Sequence, residues 1–346
     1  MRSFRNGRLA AFRPPSSTVW LLTDIAEEKG RQDLYKRQAP QALKALQEAA
    51  IVSSSESSNR IEGVVVDPAR LRPLVLGGAR PQSRPEEEIQ NYRKALALIH
   101  TKHGRLEMSA AVCRQLHRTI QDGSGDAGDF KRLDNVITER RAGEAASLRF
   151  QPVAANETPA AMKELCGLYR QALDLEHVHP LVADACFVLD FLCIHPFRDG
   201  NGRVSRLLTL LATYQHGLEV GRFISLERLV EESKEDYYDT LRRSSDGWHT
   251  AKHEIVPWLN HYLAVIRRAY GLFKERVGDL QSVRGSKTAM VDAAIAASEE
   301  PFTLASLEAA CPGVSRDMIR RLLWMRRKEG RVACLGRGPK ARWKKM

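Results

Sequence analysis

Apolar positions recur at helical spacing along most of the chain, and strand-like alternation is confined to short stretches. Helices are predicted at residues 38–51, 86–103, 109–121, 158–175, 180–194 and 203–216. The stretch 180–194 is apolar on almost every side, which is typical of a helix buried at the centre of a bundle. The pattern therefore predicts a mainly α protein.

The intervening stretches predict turns and one small β element. Residues 129–138 and 148–152 alternate between apolar and polar, with a charged segment between them, and together predict a β-hairpin. Prolines and glycines fill residues 64–85, which we interpret as a connecting loop. Serines dominate residues 53–63, a composition typical of a linker or a helix cap.

The C-terminal part has its own pattern of elements. Helices are predicted at 287–297, from residue 303 and at 316–328, where Ser315 provides a cap and Gly330 an end. Two strands within 331–343 would follow, and this order resembles a winged helix–turn–helix domain. We thus divide the chain into an N-terminal helical segment at 1–85, a core at 86–277 and a winged helix–turn–helix at 285–346.

Composition indicates the class of protein and the compartment in which we expect it. Of 346 residues, 43% are hydrophobic and 28% are charged, as in an ordinary soluble protein. The sequence shows neither a signal-peptide core nor a run long enough to span a bilayer, so we expect a cytoplasmic protein without membrane contact. Its six cysteines are scattered without a C-x-x-C pair, which favours free thiols over disulfides or a zinc site.

Positive charge is concentrated near the C-terminus. Of the net charge of +12, residues 285–346 carry +7, with 13 Lys and Arg against 6 Asp and Glu. The predicted helix 316–328 holds five arginines, which suits DNA phosphates and base edges. A domain that docks on protein, with a solvated basic face, is the alternative interpretation.

Residues 195–206 combine the groups that nucleotide chemistry needs. His195 can accept a proton near neutral pH, and Asp199 is an oxygen ligand suited to Mg²⁺. The Gly200-Asn201-Gly202 turn precedes a predicted helix, whose N–H groups can cradle phosphate oxygens. Arg203 and Arg206 lie three residues apart and add positive charge on that face. A helix–turn–helix corner with incidental charges is the alternative.

The same segment resembles the Fic signature, His-x-Phe-x-(Asp/Glu)-Gly-Asn-Gly-Arg-x-x-Arg, at every fixed position. The resemblance implies a Fic helical bundle with a small β-hairpin flap, followed here by the winged helix–turn–helix. It implies a nucleotidyltransferase that moves AMP from ATP to a Ser, Thr or Tyr hydroxyl of a protein and releases pyrophosphate. His195 would then be the base, and Asp199 would hold Mg²⁺. Gly202 disfavours kinase chemistry, because the kinase-like branch of the family carries lysine there.

A second motif lies upstream of this signature. Ser58-Asn-Arg-Ile-Glu62-Gly63 resembles the Ser/Thr-x-x-x-Glu-Gly/Asn motif of the Fic inhibitory helix. We expect Ser58 to cap a short helix and Glu62 to project from it one turn later. The resemblance implies that Glu62 pairs with Arg206 and holds ATP in an unproductive pose. A solvated glutamate at a helix end is the alternative.

The resemblance also implies the extent of the nucleotide site. Tyr237 and Tyr238 would line the adenine pocket, although tyrosines on an amphipathic helix are also common in cores. The flap would pair with an extended segment of the target protein. The implied nucleotide-binding set is Asn135, Val136, Ile137, Thr138, Asp199, Gly200, Asn201, Gly202, Arg203, Val204, Ser205, Arg206, Tyr237 and Tyr238.

Several alternatives and partners stay open at this stage. The chain could instead be a DNA-binding regulator whose Fic part senses nucleotide, or an enzyme that transfers UMP or removes AMP by hydrolysis. Its partners would be a protein docked on the flap, the protein itself as a target of self-modification, and DNA at the C-terminal domain. The sequence also leaves open a homodimer.

Overall fold

The chain folds into two compact units, one formed by 1–33 and 43–273 and the other by 34–42 and 274–346. The computed structural model describes the chain except residues 39, 140–146, 176–177, 283–285, 299, 337 and 339–340. The charged segment predicted between the hairpin strands falls almost entirely outside the described residues. The sequence-based boundaries at 85, 277 and 285 stay predictions.

Helices dominate the structure, as the apolar periodicity predicts. In chain order they are α1 (Arg8–Ala11), α2 (Ser16–Gln38), α3 (Pro40–Ile61), α4 (Pro68–Val75), α5 (Arg84–Lys102), α6 (Ala110–Ile120), α7 (Thr158–Leu173), α8 (Pro180–Ile194), α9 (Asn201–Gln215), α10 (Leu226–Glu232), α11 (Lys234–Ser245), α12 (Val256–Ser282), α13 (Ser286–Ala297), α14 (Leu304–Ala310) and α15 (Arg316–Lys328). The strands are β1 (Ile137–Glu139), β2 (Ser147–Phe150), β3 (Phe302–Thr303), β4 (Val332–Leu335) and β5 (Arg342–Lys345).

Helix α8 is the centre of the larger unit and packs between α7 and α9. All its residues are buried except Pro180 and Leu192, which confirms the predicted central helix. Its two aspartates are buried but hydrogen-bonded, because a buried carboxylate without partners is costly. Asp184 accepts from the Tyr169 hydroxyl at 2.7 Å, and Asp190 accepts from the Trp248 indole N–H at 2.6 Å.

The serine-rich segment is helical, so its interpretation as a linker or cap is wrong. Helix α3 continues through it to Ile61, and several of its serines are buried. The Ser55 hydroxyl donates to the Ile51 carbonyl at 2.8 Å, one turn back, which satisfies a polar group inside the bundle. Ser58 therefore lies within the last turn of a long helix and does not cap a short one.

Two further predictions need correction. The segment 64–85 contains α4, because Asp67 caps its N-terminus by accepting from the Ala69 N–H and Pro68 suits its first position. The first hairpin strand is only β1, and residues 129–136 are irregular. In this stretch Lys131 donates to the Ile194 carbonyl at the end of α8, and Asn135 donates to the Phe197 carbonyl. β1 pairs antiparallel with β2.

The smaller unit contains α13, α14 and α15 on one three-stranded antiparallel sheet with strand order β3-β5-β4. Its helices and β4 lie close to where the sequence predicts them, whereas β5 extends beyond the predicted range to Lys345 and β3 is an additional strand. Its core includes Val291, Leu307, Ile319, Leu323 and Trp343. None of the helices in the described ranges is both long and apolar enough to cross a membrane.

Candidate active site

The site is built where α8 ends and α9 begins. His195 follows α8 with left-handed backbone angles (φ 51°, ψ 61°), and its N–H bonds to the Phe191 carbonyl at 2.9 Å. Phe197 is fully buried and anchors the turn. The turn thus places the His195 imidazole in the wall of a cavity.

The His195 imidazole is held as a neutral base. Its Nδ1 lies 3.3 Å from the Leu192 carbonyl, so Nδ1 carries the proton and Nε2 can accept one. Burial, supported by the nearby Lys131 ammonium, lowers the pKa of His195 to about 4. The ring is therefore uncharged at neutral pH, as a proton acceptor must be.

Two residues whose roles the sequence did not indicate hold this turn in place. Buried Lys131 donates from Nζ to the Ile194 carbonyl at 3.1 Å, at the end of α8. His117 on α6 stacks on Phe197 with ring centroids 3.8 Å apart. Its Nδ1 accepts from the Gly128 N–H at 2.9 Å, so Nε2 donates to the Asp199 carbonyl at 3.1 Å. A lysine and a histidine carry no pattern of their own, and only the packing reveals their roles.

The start of α9 leaves several N–H groups without a partner inside the helix. Gly200 adopts φ 78°, which favours glycine, and the first helical bond runs from the Val204 N–H to the Gly200 carbonyl at 2.9 Å. The N–H groups of residues 201–203 therefore precede that bond and are available to an anion. The Asn201 side chain is used differently, because its amide pairs with both the N–H and the carbonyl of Phe197 at 2.9 and 2.8 Å.

Asp199 fits a single-carboxylate magnesium site. Its Oδ2 accepts from Arg203 and Gln121, both at 3.0 Å, while the side chain remains 73% exposed. Mg²⁺ in phosphate-transfer sites often takes one or two carboxylates together with phosphates and water. Within the described ranges, His, Cys, Asp and Glu side chains form no group of three that could hold a metal ion by themselves.

The two motif arginines have different surroundings. Arg203 is almost fully buried and pairs with Glu88 as well as Asp199, so its guanidinium is engaged within the protein. Arg206 is also buried, but its Nη2 pairs with Glu62 Oε1 at 2.7 Å, and Glu62 is 30% exposed. Ser58 accepts from Arg206 through both its hydroxyl and its carbonyl, each at 2.8 Å.

Helix α3 delivers Glu62 through a defined helix end. Gly63 takes φ 85°, the Val64 N–H bonds to the Asn59 carbonyl and the Gly63 N–H bonds to the Arg60 carbonyl, both at 3.0 Å. These bonds form a Schellman motif, which needs a left-handed residue and favours glycine there. Lys234 adds a bond from Nζ to the Ile61 carbonyl at 3.1 Å. The structure thus brings Ser58, Glu62 and Gly63 together with Arg206.

A cavity of about 130 Å³ lies beside this ion pair. Its lining includes His195, Gly202, Arg206 and Glu62, together with Ile137 of β1. Tyr237 is buried in its wall among Trp258 and His261, whereas Tyr238 is 36% exposed. Further lining residues are Arg149, Phe150, Leu189, Leu192, Cys193, Leu241 and Ser245.

The other expected nucleotide-binding residues lie at different depths. Val204 and Ser205 are buried, and the Ser205 hydroxyl donates to the Gly202 carbonyl at 2.7 Å. Asn135 bonds to Lys131 and to the Phe197 carbonyl, so it braces the turn. Val136, just before β1, and Thr138 on β1 are exposed and lie outside the cavity lining.

Comparison with known proteins identifies this region. Residues 107–213 match the family model described as Fic/DOC family. A Fic family protein from Desulfovibrio desulfuricans G20 is 22% identical, with a TM-score of 0.62 and coverage of 97% of each chain. A Fic domain containing signaling protein from Bacteroides thetaiotaomicron VPI-5482 is 20% identical, with a TM-score of 0.60 and coverage of 74% of this chain and 98% of that one. Fic-1 from C. elegans is 17% identical, with a TM-score of 0.56 and coverage of 77% of this chain and 73% of that one. The chain therefore contains a Fic/DOC domain with the Fic fold.

Proposed function

We propose that this protein is a protein adenylyltransferase whose own Glu62 keeps its basal activity low. The ion pair between Glu62 and Arg206 carries the proposal, because it closes one side of a cavity that also exposes a neutral histidine. The Fic/DOC domain supports nucleotidyl transfer as the type of reaction. AMP would pass from ATP to a Ser, Thr or Tyr hydroxyl of a target protein.

His195 would supply the base in this reaction. Its Nε2 would take the hydroxyl proton as the hydroxyl oxygen bonds to the α-phosphorus. The bond between the α-phosphorus and the bridging oxygen to the β-phosphorus would break, and pyrophosphate would leave with the electron pair. Asp199 would hold Mg²⁺, which would neutralise phosphate charge when bound.

The start of α9 and Arg206 would stabilise the phosphates. The N–H groups of residues 201–203 point along the helix axis, and the positive end of the helix dipole favours anions there. Arg206 would add a charge-assisted contact once its guanidinium is free of Glu62. Such positioning and electrostatic contacts are the main contributions to phosphoryl-type transfer.

Glu62 would oppose this binding in two ways. Its carboxylate occupies the Arg206 guanidinium, and it lies against Gly202 in the first turn of α9. A triphosphate would therefore meet a negative charge where it needs a positive one. Displacement of Glu62 would both open this volume and release Arg206.

The cavity wall and the flap would select the two substrates. The partly exposed Tyr238 offers an aromatic face on which adenine can stack, and Tyr237 supports it edge to face at 5.2 Å between centroids. The flap, formed by β1 and β2, would pair its main chain with an extended segment of the target or of another copy of the protein.

Labelling with radioactive ATP tests this proposal. Wild type, Glu62→Gly and His195→Ala are incubated with Mg²⁺ and α-labelled ATP, alone and with cell lysate. We expect faint self-labelling of wild type, strong labelling by Glu62→Gly and none by His195→Ala. Glu254→Gly removes a carboxylate from an exposed coil position and is the matched control, with labelling equal to wild type.

Two further measurements identify the group that is transferred. γ-Labelled ATP should leave the protein unlabelled, because pyrophosphate is released, and mass spectrometry of the adduct distinguishes AMP from other nucleotides. If Glu62→Gly stays unlabelled with all four nucleoside triphosphates while its fold is intact, the transferase proposal is wrong.

A further inference from the structure

Helix α15 of the smaller unit carries a strongly basic exposed face. We define this basic face as the exposed residues Arg316, Arg320, Arg321, Trp324, Arg327 and Lys328. Asp317, whose side chain is 90% exposed, lies on the same side of the helix and leaves the face with a net positive charge. The opposite side of the helix is buried in the core of the unit through Ile319, Leu322 and Leu323. The face therefore has a fixed orientation, and its side chains are free to meet a partner.

The arginines of the basic face form only weak ion pairs within the protein. Arg320 lies 3.7 Å from Asp317 and Arg316 lies 3.4 Å from Glu308, but the arginine side chains are 58% and 52% exposed. Such exposed pairs contribute little to stability. Arg326 differs, because it is only 13% exposed and pairs with Asp292 and Glu329. The exposed arginines thus contribute little to the stability of the unit.

The spacing of the basic face divides its cations into two rows. At 3.6 residues per turn, Arg316, Arg320 and Arg327 lie about 40° to 80° to one side of Trp324. Arg321 and Lys328 lie about 40° to 60° to its other side. Two rows of positive charge along one helix are suited to the two phosphate rims of a DNA groove. Trp324 and the exposed Asp317 lie between the rows, where side chains would face the bases.

The middle of the face suits base contacts. Trp324 is 52% exposed, and the Arg327 guanidinium lies over its ring at 5.2 Å from the centroid. An exposed tryptophan offers apolar contact to thymine methyl groups, and arginine is the commonest side chain that binds guanine in the major groove. An α-helix about 10 to 12 Å wide fits the major groove of B-form DNA, which is about 12 Å wide.

The local fold presents α15 as a recognition helix. Helices α14 and α15 are joined by residues 311–315, where Gly313 takes φ 86° and the Ser315 hydroxyl accepts from the Met318 N–H. Two helices joined by so short a turn resemble a helix–turn–helix, in which the second helix enters the major groove. We propose that the basic face of α15 binds duplex DNA in its major groove. This activity is separate from adenylyl transfer and does not depend on it.

Fluorescence anisotropy with the full-length protein tests the proposal. Labelled DNA duplex, RNA duplex and single-stranded DNA of one sequence are titrated over a series of salt concentrations. We expect the DNA duplex to bind most tightly, with affinity that falls as salt rises, because phosphate contacts release counterions. Removing two phosphate contacts, as in Arg320→Ala with Arg321→Ala, should weaken binding at least about tenfold and make the salt dependence shallower by about 2 in slope.

The controls separate a specific face from general positive charge. Arg267→Ala with Arg268→Ala removes the same charge from exposed positions of α12 and should bind as wild type. Trp324→Ala should weaken duplex binding without changing the salt slope. Circular dichroism establishes that each variant is folded.

Three results would each overturn the proposal. One is the absence of DNA binding at low salt. Another is equal binding by wild type and by the Arg320 and Arg321 double variant. The third is equal affinity for the RNA duplex, whose major groove is too narrow to admit a helix. Retention of an acidic protein in preference to DNA would instead assign the basic face to protein docking.

Discussion

Glu62 and Gly202 share one small volume at the start of α9. A β-carbon built on Gly202 would overlap Oε1 of Glu62 and lie 3.2 Å from Arg206 Nη1. The φ of Gly202 is not in the left-handed region, so the backbone itself would accept another residue. A side chain at residue 202 would therefore have to displace the Glu62 carboxylate, whereas the backbone itself would tolerate one.

This relationship predicts strong coupling between two substitutions. Gly202→Ala should destabilise the otherwise wild-type protein by about 1 to 3 kcal/mol, because the methyl group displaces Glu62 from buried Arg206. In a Glu62→Gly background the same change should be neutral or stabilising by about 0.5 kcal/mol, since alanine is the better helix former. Urea unfolding of the four proteins measures the coupling. Equal costs in both backgrounds would show that Glu62 does not occupy this volume.

The helices that carry the site were largely predictable. The apolar period and the caps place α5 to α9 within a few residues of their observed bounds, and α8 is buried as its composition predicts. The twelve-residue motif also gives the local turn, since its glycines and the helix that follows determine where N–H groups are unpaired.

The contacts across the site were less predictable from residue patterns. Serines in α3 are typical of loops, yet Ser54 and Ser58 are buried where their hydroxyls bond to partners far along the chain. His117 and Lys131 donate to the backbone carbonyls of Asp199 and Ile194. A hydrogen bond to a backbone carbonyl cannot be predicted from a pattern of side chains. Only tertiary packing determines these partners.

Buried Glu227 anchors the helix that carries Glu62. The Ser54 hydroxyl of α3 donates to Glu227 at 2.7 Å, and the Tyr92 hydroxyl of α5 donates to its other oxygen at 3.1 Å. Because α3 loses a charge-assisted hydrogen bond in Glu227→Gln, Glu62 should leave Arg206 more often. We therefore expect self-labelling with ATP above wild type but below Glu62→Gly. Labelling is measured at equal protein concentration after a melting curve establishes the folded state.

A matched control and a background test complete this experiment. Glu232→Gln changes an exposed glutamate on α10, the helix that also carries Glu227, and this variant should label as wild type. In a Glu62→Gly background, Glu227→Gln should add nothing, since the inhibitory carboxylate is already absent. A similar rise in that background would show that Glu227 affects activity by another route.

His117 should act by positioning Asp199. His117→Phe keeps the stacking on Phe197 but removes the hydrogen bonds to the Gly128 N–H and the Asp199 carbonyl. In a Glu62→Gly background, we expect the Mg²⁺ concentration for half-maximal labelling to rise about tenfold, as for other groups that orient a metal ligand. His100→Phe alters a hydrogen-bonded histidine that lines no part of the cavity and should leave that concentration unchanged. An unchanged Mg²⁺ requirement in His117→Phe would leave the histidine with a purely structural role.

The environment of His195 sets the pH dependence of catalysis. Burial lowers its pKa to about 4, so the imidazole remains neutral and able to accept a proton well below pH 6.5. In Glu62→Gly, the acidic limb of kcat/KM should therefore fall near pH 4 or below rather than near 6.5, since kcat/KM reports the free enzyme. The Glu62 carboxylate raises this pKa in the wild type, so its removal moves the limb further toward acid.

Replacing Lys131 should shift the acidic limb of kcat/KM in the opposite direction, toward higher pH. Its ammonium lowers the pKa of His195, so Lys131→Gln in the Glu62→Gly background should move the acidic limb to higher pH. Lys36→Gln removes a lysine charge from another part of the chain and is expected to leave the limb in place. The position of the acidic limb is obtained from the rate of AMP transfer at limiting ATP over a series of pH values. Unfolding is monitored at each pH. An acidic limb near pH 6.5 in Glu62→Gly that Lys131→Gln does not move would mean that His195 is solvated before ATP binds.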